Sequence, residues 1–362
     1  MIQSKSFMNR VLRNPRFSRR VLSMVVDEAH CISHWGADFR KKYASLGVVR
    51  AFLPRGTPVI AMTATLTART RRDICTKLHF SKGCSRYINA GNERANISLV
   101  VRACEHPLNS YADLDFVIPP GVKTADEVPK TWIYADNIST GTDIIDHLQR
   151  HLHEQNQHLA SENIIRPFNA VMSLEYRREA MEAFRRGDIR ILVCTDAAGM
   201  VRICLRRLYL ASNVNSVYQG CDIADIDVVV QWKLPKTFSN WIQRAGRAAR
   251  GKDRTGLAVL LVEKAAYSVL VGHAEAAAGK GKGKKAGKAK KQIAMNAKEY
   301  AAQHGIKRGG CRKSDEQPTG VQPKYDPEAA DEGLLVFVQS TECRRKVWRE
   351  VFETPVDIEL GV

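Results

Sequence analysis

The sequence contains no run of about 18 apolar residues, so we expect no membrane-spanning helix and no membrane partner. Its amino terminus lacks the order of basic, apolar and small residues that marks a secretory signal peptide. The nine cysteines are scattered and include no CxxC pair, which favours free thiols over a disulfide framework. We therefore expect an intracellular protein in a reducing compartment.

Acidic residues are absent from three segments, and these segments carry most of the formal net charge of +18. Residues 1–24 contain six basic residues, residues 279–291 contain seven lysines and residues 201–219 contain three arginines, all without an acid. The rest of the 362-residue chain is nearly neutral. Any contact with nucleic acid must therefore depend on local sites rather than on overall charge.

Short apolar runs rich in Val and Ile alternate with segments of helical period, which predicts an α/β fold with parallel sheets flanked by helices. The predicted strands are residues 21–26, 59–63, 97–101, 131–135, 189–195, 227–232 and 256–262. The predicted helices are residues 138–153, 174–186 and 238–249, with a further helical patch near residues 339–352.

Changes in composition along the chain predict its domain organisation. Four prolines mark residues 105–130 as a connector between a first lobe, residues 1–104, and a second lobe, residues 131–263. Residues 264–333 include the GKGKGKKAGKAKK stretch, which cannot bury a core, so we expect a flexible linker there. Residues 334–362 form the last segment.

The most informative motif lies where the first predicted strand ends, at Asp27, Glu28, Ala29 and His30. In open α/β sheets, ligands bind beyond the carboxyl ends of the strands. An aspartate there can hold the Mg²⁺ that bridges nucleotide phosphates, while a neighbouring glutamate can deprotonate the attacking water. Taken alone, the four residues also fit a solvated polar strand end.

Four further motifs support the first interpretation. They are Cys31–Arg40 (CISHWGADFR), Met62–Thr65 (MTAT), Thr195–Met200 (TDAAGM) and Gln243–Arg250 (QRAGRAAR). In this order, over residues 5–263, the sequence resembles the RecQ family of ATP-dependent DNA helicases. The resemblance implies two RecA-like lobes and an enzyme that couples ATP hydrolysis to 3′–5′ unwinding of DNA in repair or recombination.

In the first lobe, the resemblance assigns roles to three groups of residues. Asp27 and Glu28 look like the Mg²⁺-binding acid and the hydrolytic base for ATP. His30 looks like part of the coupling between hydrolysis and lobe movement, together with Thr63, Ala64 and Thr65. The aromatic-rich loop that senses single-stranded DNA would include Trp35, Phe39 and Arg40. Stacking a base on an aromatic ring contributes roughly 1–3 kcal/mol without sequence preference, although the two rings also fit a role in the core.

In the second lobe, Arg247 and Arg250 look like the arginines that reach the γ-phosphate of ATP. Three residues apart on a helix, they can share one face, and a planar guanidinium suits the charge that develops on the phosphoryl group. Gln243 and Gly246 flank them in the same coupling motif. A solvated basic helix face is the alternative. Thr195 and Asp196 would contact the DNA backbone.

The match to the family pattern is incomplete at single positions. His34 and Ala37 stand where the RecQ loop usually has Gln and His, which predicts a weaker DNA-sensing relay. Arg244 replaces a usual Glu and Ala249 a usual Gly. The QRxGRxxR form also occurs in DEAD and DEAH RNA helicases, but the CISHWGADFR loop and TAT in place of SAT favour RecQ.

A helicase of this kind holds the nucleotide phosphates with a GxxxxGK[ST] loop, and no such loop occurs in the sequence. The Lys-rich tract contains Gly279-Lys280, but Gly281 follows in place of Ser or Thr. We therefore expect that this polypeptide alone does not turn over ATP. The same resemblance predicts an exposed apolar sheet edge in the first lobe, which favours aggregation.

Residues 201–219 interrupt the family pattern TDAxGMGxD, which is restored if Met200 is joined directly to Gly220. We interpret the segment as a translated in-frame intron, with a genuine surface loop as the alternative. Thr341–Arg345 resembles the start of the RecQ zinc-binding subdomain, in which Cys343 would be the first of four ligands. No cysteine follows it, so zinc is expected in complete family members but a complete zinc site is not expected here.

The leading hypothesis is a RecQ-like helicase with ATP and Mg²⁺ as cofactors, and with single-stranded and duplex DNA as partners. A nuclear location is expected, and protein partners are not predicted. Two alternatives stay open. One is a non-catalytic DNA-binding or regulatory fragment, and the other is an RNA helicase of the DEAD or DEAH kind.

Overall fold

The computed structural model describes residues 4–34, 46–81, 83–195, 223–271, 296–308 and 315–355. They belong to two compact units. The first unit takes in residues 1–93, 325–333 and 345–362, and the second takes in residues 94–324 and 334–344. The structure consists of parallel sheets with helices beside them, so the predicted α/β class is confirmed.

The described helices and strands have the following bounds. The strands are β1 (Met24–Val26), β2 (Val59–Ala61), β3 (Ile97–Ala103), β4 (Thr131–Tyr134), β5 (Ile165–Phe168), β6 (Ile191–Cys194), β7 (Val228–Trp232) and β8 (Gly256–Val262). The helices are α1 (Lys5–Phe7), α2 (Pro15–Ser18), α3 (Cys31–His34), α4 (Gly47–Arg50), α5 (Ala68–Lys77), α6 (Ile138–Gln155), α7 (Gln157–Ser161), α8 (Leu174–Arg186), α9 (Phe238–Ala245), α10 (Ala297–Gln303), α11 (Leu334–Val338) and α12 (Arg344–Val351).

In the first unit, β1 and β2 pair in parallel, with Val25 opposite Ile60. Val26 points the other way, because successive side chains of a strand alternate between faces, and it packs with Ala29, Ile32, Ile74 and Leu78 in a small core. Val25 and Ile60 are 53% and 46% exposed. The described part of this unit therefore has an exposed apolar face, opposite Val26, whereas the exposed sheet edge stays a prediction.

In the second unit, six strands form one parallel sheet in the order β3-β8-β7-β4-β6-β5. The strands β4 and β6 are buried along their whole length, as expected for a sheet covered on both faces. Asn137 caps the start of helix α6, and its side chain accepts a hydrogen bond from the backbone N–H of Thr140. Because all six strands run in parallel, their carboxyl ends lie at one edge of the sheet.

Two predicted boundaries differ from the structure. The sequence places residues 97–101 in the first lobe, but β3 pairs with β8 over its whole length and so belongs to the second unit, which begins at Arg94. Residues 105–130 are more than a connector, because Leu114, Val117 and Val128 are part of the main core of that unit.

The described parts of residues 264–333 also differ from the flexible linker that the sequence predicts. Tyr267 is fully buried, and the buried hydroxyl of Tyr300 in α10 donates a hydrogen bond of 2.8 Å to Gln339. The Lys-rich residues 279–291 lie outside the described residues, as do residues 201–219 with the proposed intron. None of the described helices is long and apolar enough to cross a bilayer.

The predicted C-terminal helical patch corresponds to α12. Its buried face contains Val347, Trp348 and Val351. Its polar attachment is the buried carboxylate of Glu93, which accepts hydrogen bonds from Arg345 Nη1 at 3.0 Å and from Arg349 Nε at 2.6 Å. Burial raises the pKa of Glu93, but the hydrogen bonds from Arg349 and Arg345 outweigh it and hold the pKa below its usual value. The ionised carboxylate is therefore the form that stabilises the docked helix.

Val25 and Val26 provide a matched test of the two faces of the small sheet. We expect Val26→Thr to lower the free energy of unfolding by about 1–3 kcal/mol, because it buries a hydroxyl in an apolar core. Val25→Thr should change it by less than about 0.5 kcal/mol and should reduce concentration-dependent light scattering. Urea unfolding and static light scattering measure the two effects. Equal destabilisation by both substitutions would contradict this assignment of faces.

The Glu93 site predicts a pH dependence with a definite sign. A carboxyl whose pKa is lowered by folding stabilises the protein above its unfolded-state pKa and loses that contribution as pH falls through the folded-state pKa. We expect Glu93→Gln to cost about 2 kcal/mol near pH 7 and progressively less below about pH 4.5. Urea unfolding of both proteins across this range measures the difference.

Glu353→Gln is the control for the Glu93 experiment. Glu353 also pairs with an arginine, Arg71 at 2.8 Å, but its side chain is 39% exposed. An exposed pair contributes about 1 kcal/mol or less, so the control should have a small effect at every pH. A pH-independent cost of Glu93→Gln would show that the carboxylate charge is not what stabilises α12.

Candidate functional site

The DEAH residues form a tight turn at the carboxyl end of β1. Asp27 Oδ1 accepts a hydrogen bond of 2.9 Å from the backbone N–H of Glu28. Glu28 has a positive φ of 51°, a left-handed conformation that is strained for a residue with a side chain, and its carboxylate is exposed. His30 is buried, and its Nδ1 lies 3.5 Å from Glu28 Oε2.

The TAT residues follow β2 and lie against this turn. The backbone N–H of Ala29 donates to the carbonyl of Met62, and the N–H of Met62 donates to the carbonyl of Val26, both at 2.9 Å. Thr63 Oγ1 lies 2.8 Å from His30 Nδ1. The structure therefore brings together Asp27, Glu28, His30 and the TAT residues, as the predicted site requires.

Thr63 also organises its own loop. Its hydroxyl donates to the carbonyl of Thr65 at 3.1 Å, and Thr65 is buried. A hydroxyl has one proton, so if Thr63 donates to Thr65 its oxygen accepts from His30 Nδ1–H. The tautomer of His30 is then fixed by a hydroxyl that belongs to the neighbouring strand end.

The arginine motif lies at the end of α9 in the second unit. The sequence predicts a helix to residue 249 with Arg247 and Arg250 on one face, but this is wrong, because α9 ends at Ala245. The chain then turns toward the sheet, with the N–H of Ala249 donating to the carbonyl of Ile226 at 2.9 Å. Arg247 is half-buried and Arg250 is exposed, and both lie beyond the helix.

A cavity of about 300 Å³ lies at the carboxyl edge of the large sheet. It is lined by residues in or just after β5 and β6 and by the first turns of α6, among them Gly141, Thr142, Asn169, Cys194 and Thr195. This is the edge at which α/β proteins bind ligands. Thr195 lies at this edge, whereas its neighbour Asp196 lies outside the described residues.

Several predicted site residues cannot be placed. Trp35, Phe39 and Arg40 of the aromatic loop lie outside the described residues. Cys343 is exposed, and no group of three or more His, Cys, Asp or Glu side chains in the described ranges is arranged to hold a metal ion.

Comparison with known proteins agrees with the motifs. Residues 124–252 match the family description "Helicase conserved C-terminal domain". The ATP-dependent DNA helicase RecQ of Pasteurella multocida is 28% identical over 252 residues, which are 69% of this chain and 33% of that protein. The ATP-dependent DNA helicase Q5 of Rattus norvegicus is 28% identical over 241 residues, which are 66% of this chain and 22% of that protein.

This chain is similar in sequence to RecQ-family DNA helicases. It spans about a third or less of the length of these two relatives. The solved structure of the DUF1998 helicase MrfA bound to DNA and AMPPNP is similar in fold, with a TM-score of 0.50 and 15% identity, over 74% of this chain and 34% of that one.

The RecQ position that carries Ala249 in place of glycine is conformationally strained. Ala249 has a φ of 46°, a region that glycine enters without cost and that alanine avoids. Its carbonyl accepts hydrogen bonds from Arg94 Nη2 at 2.7 Å and from Asn96 Nδ2 at 2.9 Å. These two donors, which sequence reasoning missed, hold the turn between Arg247 and Arg250 in place.

Arg244 is the second departure from the RecQ pattern, and its buried positive charge is paired within the fold. Arg244 is buried in α9, and its Nη1 donates to Asp136 Oδ1 at 2.9 Å and to the side-chain oxygen of Gln231. Its guanidinium also lies over the ring of Tyr134, 5.2 Å from the centroid. An arginine can be buried here because a carboxylate and an amide oxygen satisfy it.

Restoring the family residue should therefore destabilise this protein. We expect Arg244→Glu to lower the free energy of unfolding of the second unit by about 3 kcal/mol, because two carboxylates would then face each other. Adding Asp136→Asn should recover part of this loss, since the amide can hydrogen-bond to the new glutamate. Urea unfolding of the single and double variants measures both steps. If Arg244→Glu were as stable as the parent, the Arg244–Asp136 pair would have no role in fixing α9.

Proposed function

We propose that this chain is part of an ATP-dependent DNA helicase that moves 3′ to 5′ on one strand and takes part in DNA repair or recombination. The observation that carries the proposal is the contact between His30 and Thr63, which joins the DEAH turn to the TAT loop. In this arrangement a change at Glu28 is transmitted to the end of β2 through one imidazole ring. We also propose a nuclear location, supported by the Lys-rich tract at residues 279–291.

The acidic turn fits a magnesium–nucleotide complex. Asp27 and Glu28 provide hard carboxylate oxygens, the ligand type that Mg²⁺ prefers, at the carboxyl end of a strand. Asp27 would hold the metal, which when bound neutralises charge on the transferred phosphoryl group. Glu28 would orient and deprotonate a water, since its carboxylate is exposed while His30 beside it is positioned by Thr63.

The arginines and the large sheet would bind the γ-phosphate of ATP and the DNA strand. Arg247 and Arg250 offer fixed positive charge for the γ-phosphate, and the strained turn at Ala249 limits how far either can move. Thr195, at the carboxyl edge of the large sheet, would contact the sugar-phosphate backbone of a single strand.

The sequence does not contain the loop that would bind the phosphates in the nucleotide site. Without the backbone amides and lysine of a GxxxxGK[ST] loop, the acids and arginines have little to hold a triphosphate in register. We therefore propose that this polypeptide by itself binds DNA but hydrolyses ATP no faster than its Glu28→Gln variant.

The prediction is tested with the purified chain, labelled single-stranded DNA and RNA of one sequence, and ATP. Fluorescence anisotropy should give tighter binding to DNA than to RNA, with a Kd that rises with salt. A coupled phosphate-release assay should find the same rate for the parent and for Glu28→Gln, with and without DNA.

Two results would contradict parts of this proposal. DNA-stimulated ATP hydrolysis that Glu28→Gln abolishes would show that the chain is active by itself. Tighter binding to RNA than to DNA would favour a DEAD or DEAH RNA helicase instead.

A further inference from the structure

Residues 89–93, which directly precede the second unit, hold α12 in place through hydrogen bonds. Asn89 Nδ2 donates to the carbonyls of Phe352 and Glu353, at 2.9 and 2.7 Å, just past the carboxyl end of the helix. Glu93 accepts hydrogen bonds from Arg345 in the first turn of the helix and from Arg349 in its last turn. Between them, the indole N–H of the buried Trp348 donates to Asn92 Oδ1 at 2.7 Å.

Asn92 uses the other half of its amide to reach the TAT loop. Its Nδ2 donates to the carbonyl of Ala64 at 3.2 Å. The orientation of the amide is fixed by chemistry, because an indole N–H can only donate and a backbone carbonyl can only accept. Asn92 is therefore a bridge between α12 and the loop that contains Thr63 and Thr65.

The bridge continues to the DEAH turn. Ala64 lies between Thr63, which contacts His30 at 2.8 Å, and Thr65, whose carbonyl accepts from Thr63 at 3.1 Å. A continuous chain of hydrogen bonds and peptide units thus runs from Trp348 to His30, and every member belongs to the first unit.

The other tryptophans of the described regions indicate that this bridge does more than satisfy an indole. The buried N–H groups of Trp132, Trp232 and Trp241 have no hydrogen-bond partner there, so the fold tolerates such a group without an acceptor. The hydrogen bond of Trp348, in contrast, goes to an asparagine that also contacts the TAT loop.

We propose that Trp348 and Asn92 are positioning residues that tie α12 to the TAT loop and so fix the geometry of His30 beside Glu28. The consequence for hydrolysis rests on the proposed function, but the positioning itself does not. A helix near the C-terminal end of the chain would then set how firmly the DEAH turn is held.

Asn92→Asp separates the two halves of the bridge. A carboxylate still accepts from the Trp348 indole but cannot donate to the Ala64 carbonyl, so α12 should stay docked while the TAT loop loosens. Trp348→Phe removes the indole donor and keeps an aromatic ring. Asn89→Ala is the matched control, because it also removes bonds to the end of α12 but, among the described residues, Asn89 makes no hydrogen bond to the TAT loop.

The measurements are hydrogen exchange, followed by mass spectrometry, and the imidazole nitrogen signals of His30 in the full chain. We expect Asn92→Asp to raise exchange at residues 27–30 and 62–65 by about fivefold or more, with α12 changed by less than about twofold. Trp348→Phe should affect both regions, and both variants should shift the His30 signals. Asn89→Ala should raise exchange in α12 only.

Two outcomes would overturn the proposal. If all three variants changed residues 27–30 and 62–65 equally, α12 would be a general support of the unit and not a positioning element. If neither Asn92→Asp nor Trp348→Phe changed these residues, the contact would carry no coupling. These readouts need no nucleotide, so a failure of the proposed ATP chemistry is separately visible. If Trp348→Phe did not fold, Asn92→Asp would still decide between the outcomes.

Discussion

Parallel pairing of neighbouring strands is the constraint on which the rest of this structure depends. Two parallel strands end at the same edge, so the residues that follow β1 and those that follow β2 meet although more than thirty positions separate them, as in the pair His30 and Thr63. The same rule places Thr195 and the first turns of α6 around one cavity in the second unit. Antiparallel pairing would put each set at opposite edges.

Backbone strain marks both chemical motifs. Glu28 and Ala249 are non-glycine residues with positive φ, and each costs on the order of 1–3 kcal/mol unless its surroundings hold it. At Glu28 the strained turn is closed by Asp27 and by the bonds between Ala29 and Met62. At Ala249 it is held by Arg94, Asn96 and Ile226. In both motifs the polar contacts define the positions from which side chains can reach a ligand.

Much of the fold could be predicted from the sequence, because the spacing of apolar residues matches the pattern of buried residues in the strands. β8 and α8 have the predicted bounds, since each is a clear apolar run or an amphipathic helix with a serine at its start and a glycine at its end. The strand β5 could not be found, because Arg166 and Pro167 interrupt its apolar pattern and an edge strand tolerates both.

The candidate site, like the fold, could be predicted only in part. The residues that lie inside motifs could be identified, but those that hold the motifs in place could not. Asn92, Glu93, Arg94 and Asn96 form a short polar run before a strand, which by itself is typical of a loop. Apart from Ala64, which Asn92 also contacts, the partners named above lie more than 150 positions away, and no pattern in the sequence connects them.

The alanine at position 249 has one more consequence. A methyl group added to Gly256 would lie 2.9 Å from the Cβ of Ala249 and 3.0 Å from that of Ala248, closer than such atoms approach in proteins. The space between these backbones therefore admits the side chain of residue 249 only while residue 256 has none. An alanine at position 249 is thus compatible only with a glycine at position 256. In a protein with a larger residue at 256, the family glycine at 249 could not be replaced by alanine.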